Sequence, residues 1–201
     1  MTQDLKALYG AEAEAQRARY AALNTAFAEA FGAAEALEYF SAPGRTEVGG
    51  NHTDHNNGKV LAAAVNLDVI AAVKKTENGV IRLKSAGYPM DTVDTAELSV
   101  QESEKERSAA LIRGVCARLK ALGYKVGGFD AVTASRVLKG SGLSSSAAFE
   151  VLVVTILSHL YNGGAIAPVE AAQISKYAEN VYFGKPSGLL DQMAASVGGF
   201  T

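Results

Sequence analysis

Cysteine is nearly missing from this chain: Cys116 is the single one in 201 residues, so no internal disulfide can staple the fold. That fits a reducing compartment. Its neighbours Leu111, Ile112, Val115 and Leu119 mark Cys116 as a small core residue rather than a nucleophile. A charge excess is missing too. Lys and Arg number 19 against 21 Asp and Glu, a net charge of −2, so no global field recruits nucleic acid or an anionic membrane. The Lys74-Lys75 pair, followed by Glu77, reads as a solvated turn. No apolar run is long enough to span a bilayer, and the N-terminus lacks the basic-then-apolar pattern of a secretory leader. The expected location is therefore the cytoplasm, where the sequon at Asn51-His52-Thr53 meets no glycosylation machinery. There is no internal repeat, low-complexity tract or flexible linker. What is present, 48% hydrophobic residues, suffices for the core of one domain, or of one domain and part of another.

Hydrophobic spacing predicts mixed strands and helices. Tyr20, Leu23, Phe27 and Phe31 recur at helical intervals in an amphipathic segment over 12–31. A short strand over 37–41 is predicted next, then one bent strand or a pair of strands over 60–73. Asn78-Gly79 is a strong hairpin signal, which predicts that 69–75 and 79–85 pair antiparallel. Helices are predicted over 103–122, with Gly123 closing the first, over 146–161, a nearly all-apolar and hence buried stretch, and over 168–180, with Pro168 near its start. A strand is predicted over 127–138. The pattern is that of an α+β domain. Val197–Thr201 reads as the entry to a turn or strand, so the chain is expected to stop partway through a larger protein.

Three polar segments interrupt this framework. The first, Ala42-Pro-Gly-Arg-Thr-Glu-Val-Gly-Gly-Asn-His-Thr-Asp-His-Asn-Asn-Gly58, combines four glycines with Arg45, His52, His55 and Asp54, and is too polar to be core. Glycine lets backbone approach a ligand where a Cβ would clash, and the side chains supply donors and acceptors. The second, Gly140-Ser-Gly-Leu-Ser-Ser-Ser-Ala-Ala148, leads from a strand into a buried helix. Exposed backbone N–H groups, a helix N-terminus and three hydroxyls meet the needs of a phosphate cradle, although Ser144–Ser146 could simply cap the helix. It is neither a Walker A loop nor a dinucleotide fingerprint, since both the lysine and the glycine spacing are absent. The third is Gly188-Leu-Leu-Asp-Gln192. Three readings stay open here: a metal held by His52, Asp54 and His55, Arg45 as a surface ion pair, and Glu179 as a solvated charge at a helix end.

The three segments, in this order, resemble those of galactokinases in the GHMP kinase superfamily: the second is similar to the superfamily's phosphate-binding loop, the first to the galactokinase signature, and the third to its catalytic-aspartate motif. The resemblance spans Pro43 to Gln192. It implies a GHMP kinase N-terminal domain over 1–201, of the ribosomal protein S5 domain 2-like type, with its ligands in a cleft facing a C-terminal domain outside this chain. The implied reaction is ATP- and Mg²⁺-dependent phosphorylation of galactose at the anomeric hydroxyl, with little turnover by this portion alone. Asp191 would face that hydroxyl as general base or orienting anion, with Arg45 near it and the transferring phosphate. Asn51, His52, Asp54 and Gly188 would contact sugar. Gly140, Ser141, Gly142, Leu143, Ser144, Ser145, Ser146 and Ala147 would line the ATP phosphates, and Ser145 or Ser146 with Glu179 would hold Mg²⁺. Thr53 and Gln192 would support these groups.

The resemblance has gaps. Galactokinases carry Glu where this chain has Asn51 and Tyr where it has His55. Their Asn-Leu-Ile-Gly is Glu47-Val48-Gly49-Gly50 here, and the proline before the phosphate loop is Leu138. Neutral Asn51 lacks the charge that strengthens a hydrogen bond to a sugar hydroxyl. The alternatives are therefore a kinase for another sugar, such as N-acetylgalactosamine or a uronic acid, and a non-catalytic galactose and ATP sensor. Ala147-Ala148 and the intact Asp191 favour the enzyme.

Overall fold

In the computed structural model, which describes residues 2–138 and 140–201, the apolar run starting at Leu61 is one strand with two buried faces. Ile70 and Ala72 turn toward Tyr20, Leu23 and Phe27, whereas Val69, Ala71 and Val73 turn toward the opposite core. Successive side chains of a strand alternate sides, so burial on both faces yields a continuous apolar run in place of alternation.

The sheet has five strands, β1 (Glu38–Gly49), β2 (Leu61–Lys75), β3 (Val80–Ser85), β4 (Met90–Asp94) and β5 (Phe129–Ser135), in the order β1-β2-β5-β3-β4. Neighbours run antiparallel except β3 and β5, which are parallel. Helices α1 (Thr2–Tyr9) and α2 (Ala13–Phe31) cover one face; α3 (Ser108–Ala121), α4 (Ser145–Asn162), α5 (Pro168–Tyr177) and α6 (Leu190–Val197) cover the other. Buried Asp68 ties the first layer to the sheet: it accepts hydrogen bonds from the Tyr9 hydroxyl, from Ser41 at 2.7 Å and from Arg19 at 2.8 Å. Cys116 is fully buried in the larger core, as its neighbours predict. Among the described residues, no helix is long and apolar enough to cross a membrane.

Several boundaries differ from the sequence prediction, and the predicted hairpin is wrong. β2 and β3 do not pair, because β5 lies between them. The turn itself forms, with Gly79 at φ +70° and the Asn78 side chain accepting the Val80 N–H at 3.0 Å. Its mouth, however, admits the start of β5. Thr76 donates its N–H to the Gly128 carbonyl at 3.0 Å, and a Cβ on Gly128 would stand 2.6 Å from the Val80 carbonyl oxygen. Local turn chemistry says how the chain reverses, not which strand fills the space.

β1 also runs beyond the predicted Ser41, through Arg45 to Gly49, pairing Arg45–Glu47 with Ala64–Ala62. The register shift at Pro43/Arg45 accompanies the proline, which has no N–H to give the ladder, and a second shift lies at Glu47/Gly49. The third helix starts at Ser108 rather than 103, and β5 is shorter than the predicted strand. The helix predicted over 168–180 changes at Tyr177 into a π-helical turn, Ala178–Phe183. Neither α1 nor α6 is predicted. Of the turn or strand predicted over 197–201, Val197 ends α6, while Thr201 and Ala62 exchange strand-like backbone hydrogen bonds of 2.9 Å.

Candidate active site

The first and third polar segments meet at Arg45 and Asp191. Arg45 projects from β1 and is 6% exposed, so it is not the surface ion pair left open above. Its Nε donates to Asp191 Oδ1 at 2.7 Å, while Nη1 donates to the Gly142 carbonyl. The Arg45 N–H adds a hydrogen bond of 3.1 Å to the Leu143 carbonyl. β1 and the serine-rich loop approach so closely that a Cβ on Gly44 would meet the Leu143 oxygen at 2.9 Å.

Ser144, at φ +58°, precedes α4 and makes no side-chain capping bond. Its hydroxyl instead donates to Asp191 Oδ2, so helix capping does not explain this serine. Asp191 thus receives a donor on each oxygen. Burial opposes its ionisation, but the hydrogen bonds from Arg45 and Ser144 outweigh that cost and hold its carboxyl below the ordinary range. The result is an ionised, oriented carboxylate at the start of α6, beside a loop with Gly140 and Gly142 at positive φ.

His52, Asp54 and Gly188 gather at the same place. With Arg45, His55, Lys185, Pro186, Ser187 and Asp191 they line a cavity of about 240 Å³. Asn51 is exposed and stands outside this lining. Asn51 and His52 both adopt left-handed backbone, φ +55° and +51°. Glu47 secures the bend, accepting the His52 N–H at 2.8 Å and approaching the imidazole Nε2 at 3.2 Å. Thr53 supports the loop through a hydroxyl bond of 2.8 Å to the Gly50 carbonyl. Asp54 Oδ2 accepts the Leu190 N–H at 2.9 Å, fastening the signature loop to the first turn of α6. Gly188 makes room for that contact, since a Cβ there would fall 1.8 Å from Asp54 Oδ2.

The metal reading of this loop fails on its partners. His55 Nδ1 lies 2.7 Å from the His52 carbonyl, Asp54 Oδ2 accepts from Leu190, and among the described residues no three His, Cys, Asp or Glu side chains are grouped to hold an ion.

The second polar segment leads to Glu179. This carboxylate lies in the π-helical turn with no exposed surface, which excludes the solvated helix-end reading. Ser146 donates to its Oε1 at 2.9 Å, and Lys185 Nζ stands 3.0 Å from the same oxygen. Gln192 Nε2 donates to Oε2 at 2.7 Å and also reaches Glu150 Oε2 at 3.2 Å. A half-buried hydroxyl and a buried carboxylate beside a phosphate-type loop are hard oxygen donors of the kind that would suit Mg²⁺. Of the two candidate serines, Ser146 is the one hydrogen-bonded to Glu179.

Glu150, Lys185 and Glu47 are not among the predicted site residues. An acid within an otherwise apolar helix, four positions after Ser146, was the available signal for Glu150. Lys185 and Glu47 carry no signal of their own, because one charge in a polar loop is ordinary.

The chain is similar to known proteins over most of its length. The galactokinase galactose-binding signature matches residues 25–75, and the GHMP kinases N terminal domain matches residues 110–199. The galactokinase of Clostridium tetani is 32% identical over 88% of this chain and 44% of its own length. That of Lactococcus lactis subsp. lactis is 35% identical over 88% of this chain and 45% of its own length. The chain thus spans less than half the length of these curated relatives. The crystal structure of Lactococcus lactis galactokinase complexed with galactose superposes with a TM-score of 0.81 at 32% identity, covering 88% of this chain and 46% of that one. Methanococcus jannaschii mevalonate kinase, at 18% identity and a TM-score of 0.68 over 82% of this chain and 52% of that one, shares the fold.

Proposed function

We propose that this chain, which belongs to the GHMP kinase superfamily and carries the galactose-binding signature of galactokinases, is the sugar- and phosphate-binding portion of a sugar 1-kinase. The reaction is transfer of the γ-phosphoryl group of ATP to the anomeric hydroxyl of galactose. Residues 1–201 form its N-terminal domain, and a C-terminal domain closes the cleft. An enzyme using free sugar and ATP works in the cytoplasm, which the lone buried thiol suits.

The observation that carries the reading is the two-sided grip on Asp191. Phosphoryl transfer passes through a loose transition state with little charge on the nucleophile, so positioning matters at least as much as proton removal. Asp191, kept ionised by Arg45 and Ser144, orients the sugar hydroxyl and accepts its proton as the new P–O bond forms and the γ-phosphoryl bond to the departing ADP breaks. Arg45 reaches both Asp191 and the phosphate loop, so its guanidinium offsets charge on the transferring group. His52, Asp54 and Gly188 bound the sugar cavity. The loop from Gly140 to Ala147, with its glycines and the start of α4, cradles phosphate oxygens. Ser146 and Glu179 would hold Mg²⁺, whose charge, when bound, neutralises phosphate oxygens.

Support for galactose comes from the signature match and from the galactose-bound relative. A related sugar is the second reading, favoured by neutral, exposed Asn51 standing outside the cavity lining. The test is a sugar panel with MgATP, given to a full-length protein carrying this chain, with ADP release and the phosphorylated carbon followed by NMR. Galactose 1-phosphate as the preferred product supports the proposal. Preference for another sugar moves it to the second reading, and ATP binding without turnover leaves a sensor.

A further inference from the structure

Glu150 is the buried acid for which the reaction has no use. It sits within α4 with no exposed surface; Glu179 in the π-helical turn and Gln192 in α6 are equally buried. The Gln192 amide nitrogen carries two N–H groups and spends them on the two acids, at 3.2 Å to Glu150 and 2.7 Å to Glu179. Glu179 Oε1 has Ser146 and Lys185 as further partners, whereas Glu150 Oε1 and Gln192 Oε1 have none among the described side chains. Buried polar groups are nearly always paired, so two orphan oxygens in one cluster mark a site kept for something other than packing.

We infer that Glu150 is a positioning residue: it holds the Gln192 amide in place, and that amide fixes the Glu179 carboxylate for its metal. The inference rests on the kinase reading given above. Glu179 needs an external brace because it lies in a π-helical turn rather than a regular helix. Gln192 is one residue from Asp191, so one hydrogen-bonded bar, Glu150–Gln192–Glu179, joins the metal-facing acid to the helix that carries the sugar-facing one.

Charge fits the assignment. The groups acting on Glu150 are Glu179, Gln192, Lys185 and Asp191. Burial, and then the charge of Glu179, raise the Glu150 carboxyl well above the usual range, while Gln192 and Lys185 only partly oppose them. Two ionised acids on one neutral amide would be a costly arrangement in a site this dry. A neutral Glu150 keeps the hydrogen-bonding bar and leaves the negative charge on Glu179.

The test compares the parent chain with Glu150→Gln, Glu150→Leu and Gln192→Leu. NMR reads solvent exchange of the Gln192 side-chain amide without ligand, and electron paramagnetic resonance reads Mn²⁺–ATP affinity. The amide should be protected in the parent and in Glu150→Gln, and lose protection in Glu150→Leu. Mn²⁺–ATP affinity should fall roughly tenfold or more in Glu150→Leu and in Gln192→Leu, as for lost support of a metal ligand, and stay at the parent value in Glu150→Gln. Gln192→Leu cuts the same bar from the other end, so a folding failure of one Leu variant does not remove the test. Parent-like amide protection and affinity in Glu150→Leu overturn the inference. So does a loss in Glu150→Gln equal to that in Glu150→Leu, because charge would then matter and the hydrogen bond would not. If the parent binds no Mn²⁺–ATP and Glu179→Gln changes nothing, the kinase reading fails, while the Gln192 exchange rates still decide whether Glu150 braces that amide.

Discussion

Arg45 and Asp191 lie 146 positions apart and meet through a hydrogen bond of 2.7 Å between Nε and Oδ1. Three segments of chain converge on that bond. β1 carries the guanidinium, α6 carries the carboxylate, and the loop before α4 adds the Ser144 hydroxyl and the Gly142 carbonyl. Desolvating this largely buried ion pair is worthwhile only if the pair is well hydrogen-bonded, and each group here has a second partner.

The pair sets an acid limit on stability. Asp191 titrates below its ordinary range, so the stabilisation is complete above roughly pH 4 and is lost as pH falls through the lowered folded value. In Arg45→Gln, burial works against Asp191 with Ser144 as the main remaining counterweight, and the acid limit moves to higher pH. Melting temperatures across the acid range, parent against variant, measure the shift; superimposable profiles would contradict it.

Gly188 is required by Asp54. A methyl group at 188 would collide with Asp54 Oδ2, so Gly188→Ala expels the carboxylate from the Leu190 N–H at a cost of roughly 1–3 kcal/mol. In Asp54→Ala the space is free. Gly188→Ala then costs much less, and the double variant falls well short of additivity in denaturant titrations.

Much of this site was legible in the sequence because its parts are local. Glycine spacing, a serine run ahead of an apolar helix, and an aspartate after Gly188 each announce themselves within a few residues. The pairing of strands was not legible, since the Asn78-Gly79 turn is compatible with either neighbour and only the passage of Gly128 decides between them. Polarity concealed the strand under the first signature: Arg45 and Glu47 look like loop residues until Ala62–Ala64 supply a partner. Glu150 announced itself only as a lone acid in an apolar helix; its role stayed hidden because Gln192 and, through it, Glu179 come from other elements.

The proposed sugar preference is testable at Asn51, which is exposed beside the cavity. Asn51→Glu restores a carboxylate at the position where galactokinases have one and should raise kcat/KM for galactose in the full-length enzyme. It should also cost about 1 kcal/mol of stability, because glutamate tolerates left-handed backbone less well than asparagine. Unchanged kinetics would put position 51 outside recognition.

Cys116 should be silent toward thiol reagents. Burial pushes its thiol up to about 12, so the reactive thiolate is scarce at neutral pH and the sulfur is sealed in the core. Intact-mass analysis after iodoacetamide should find no adduct on the folded chain and one adduct in denaturant. Rapid labelling of the folded protein would contradict this packing.

The most direct test is galactose-dependent ADP release from MgATP by the full-length protein, with and without Asp191→Asn. The amide keeps the shape of the side chain and removes its charge. The account predicts a loss of turnover of about 100-fold or more in Asp191→Asn, with ATP affinity near that of the parent. A variant that still phosphorylates galactose at the parent rate would contradict the central role of Asp191.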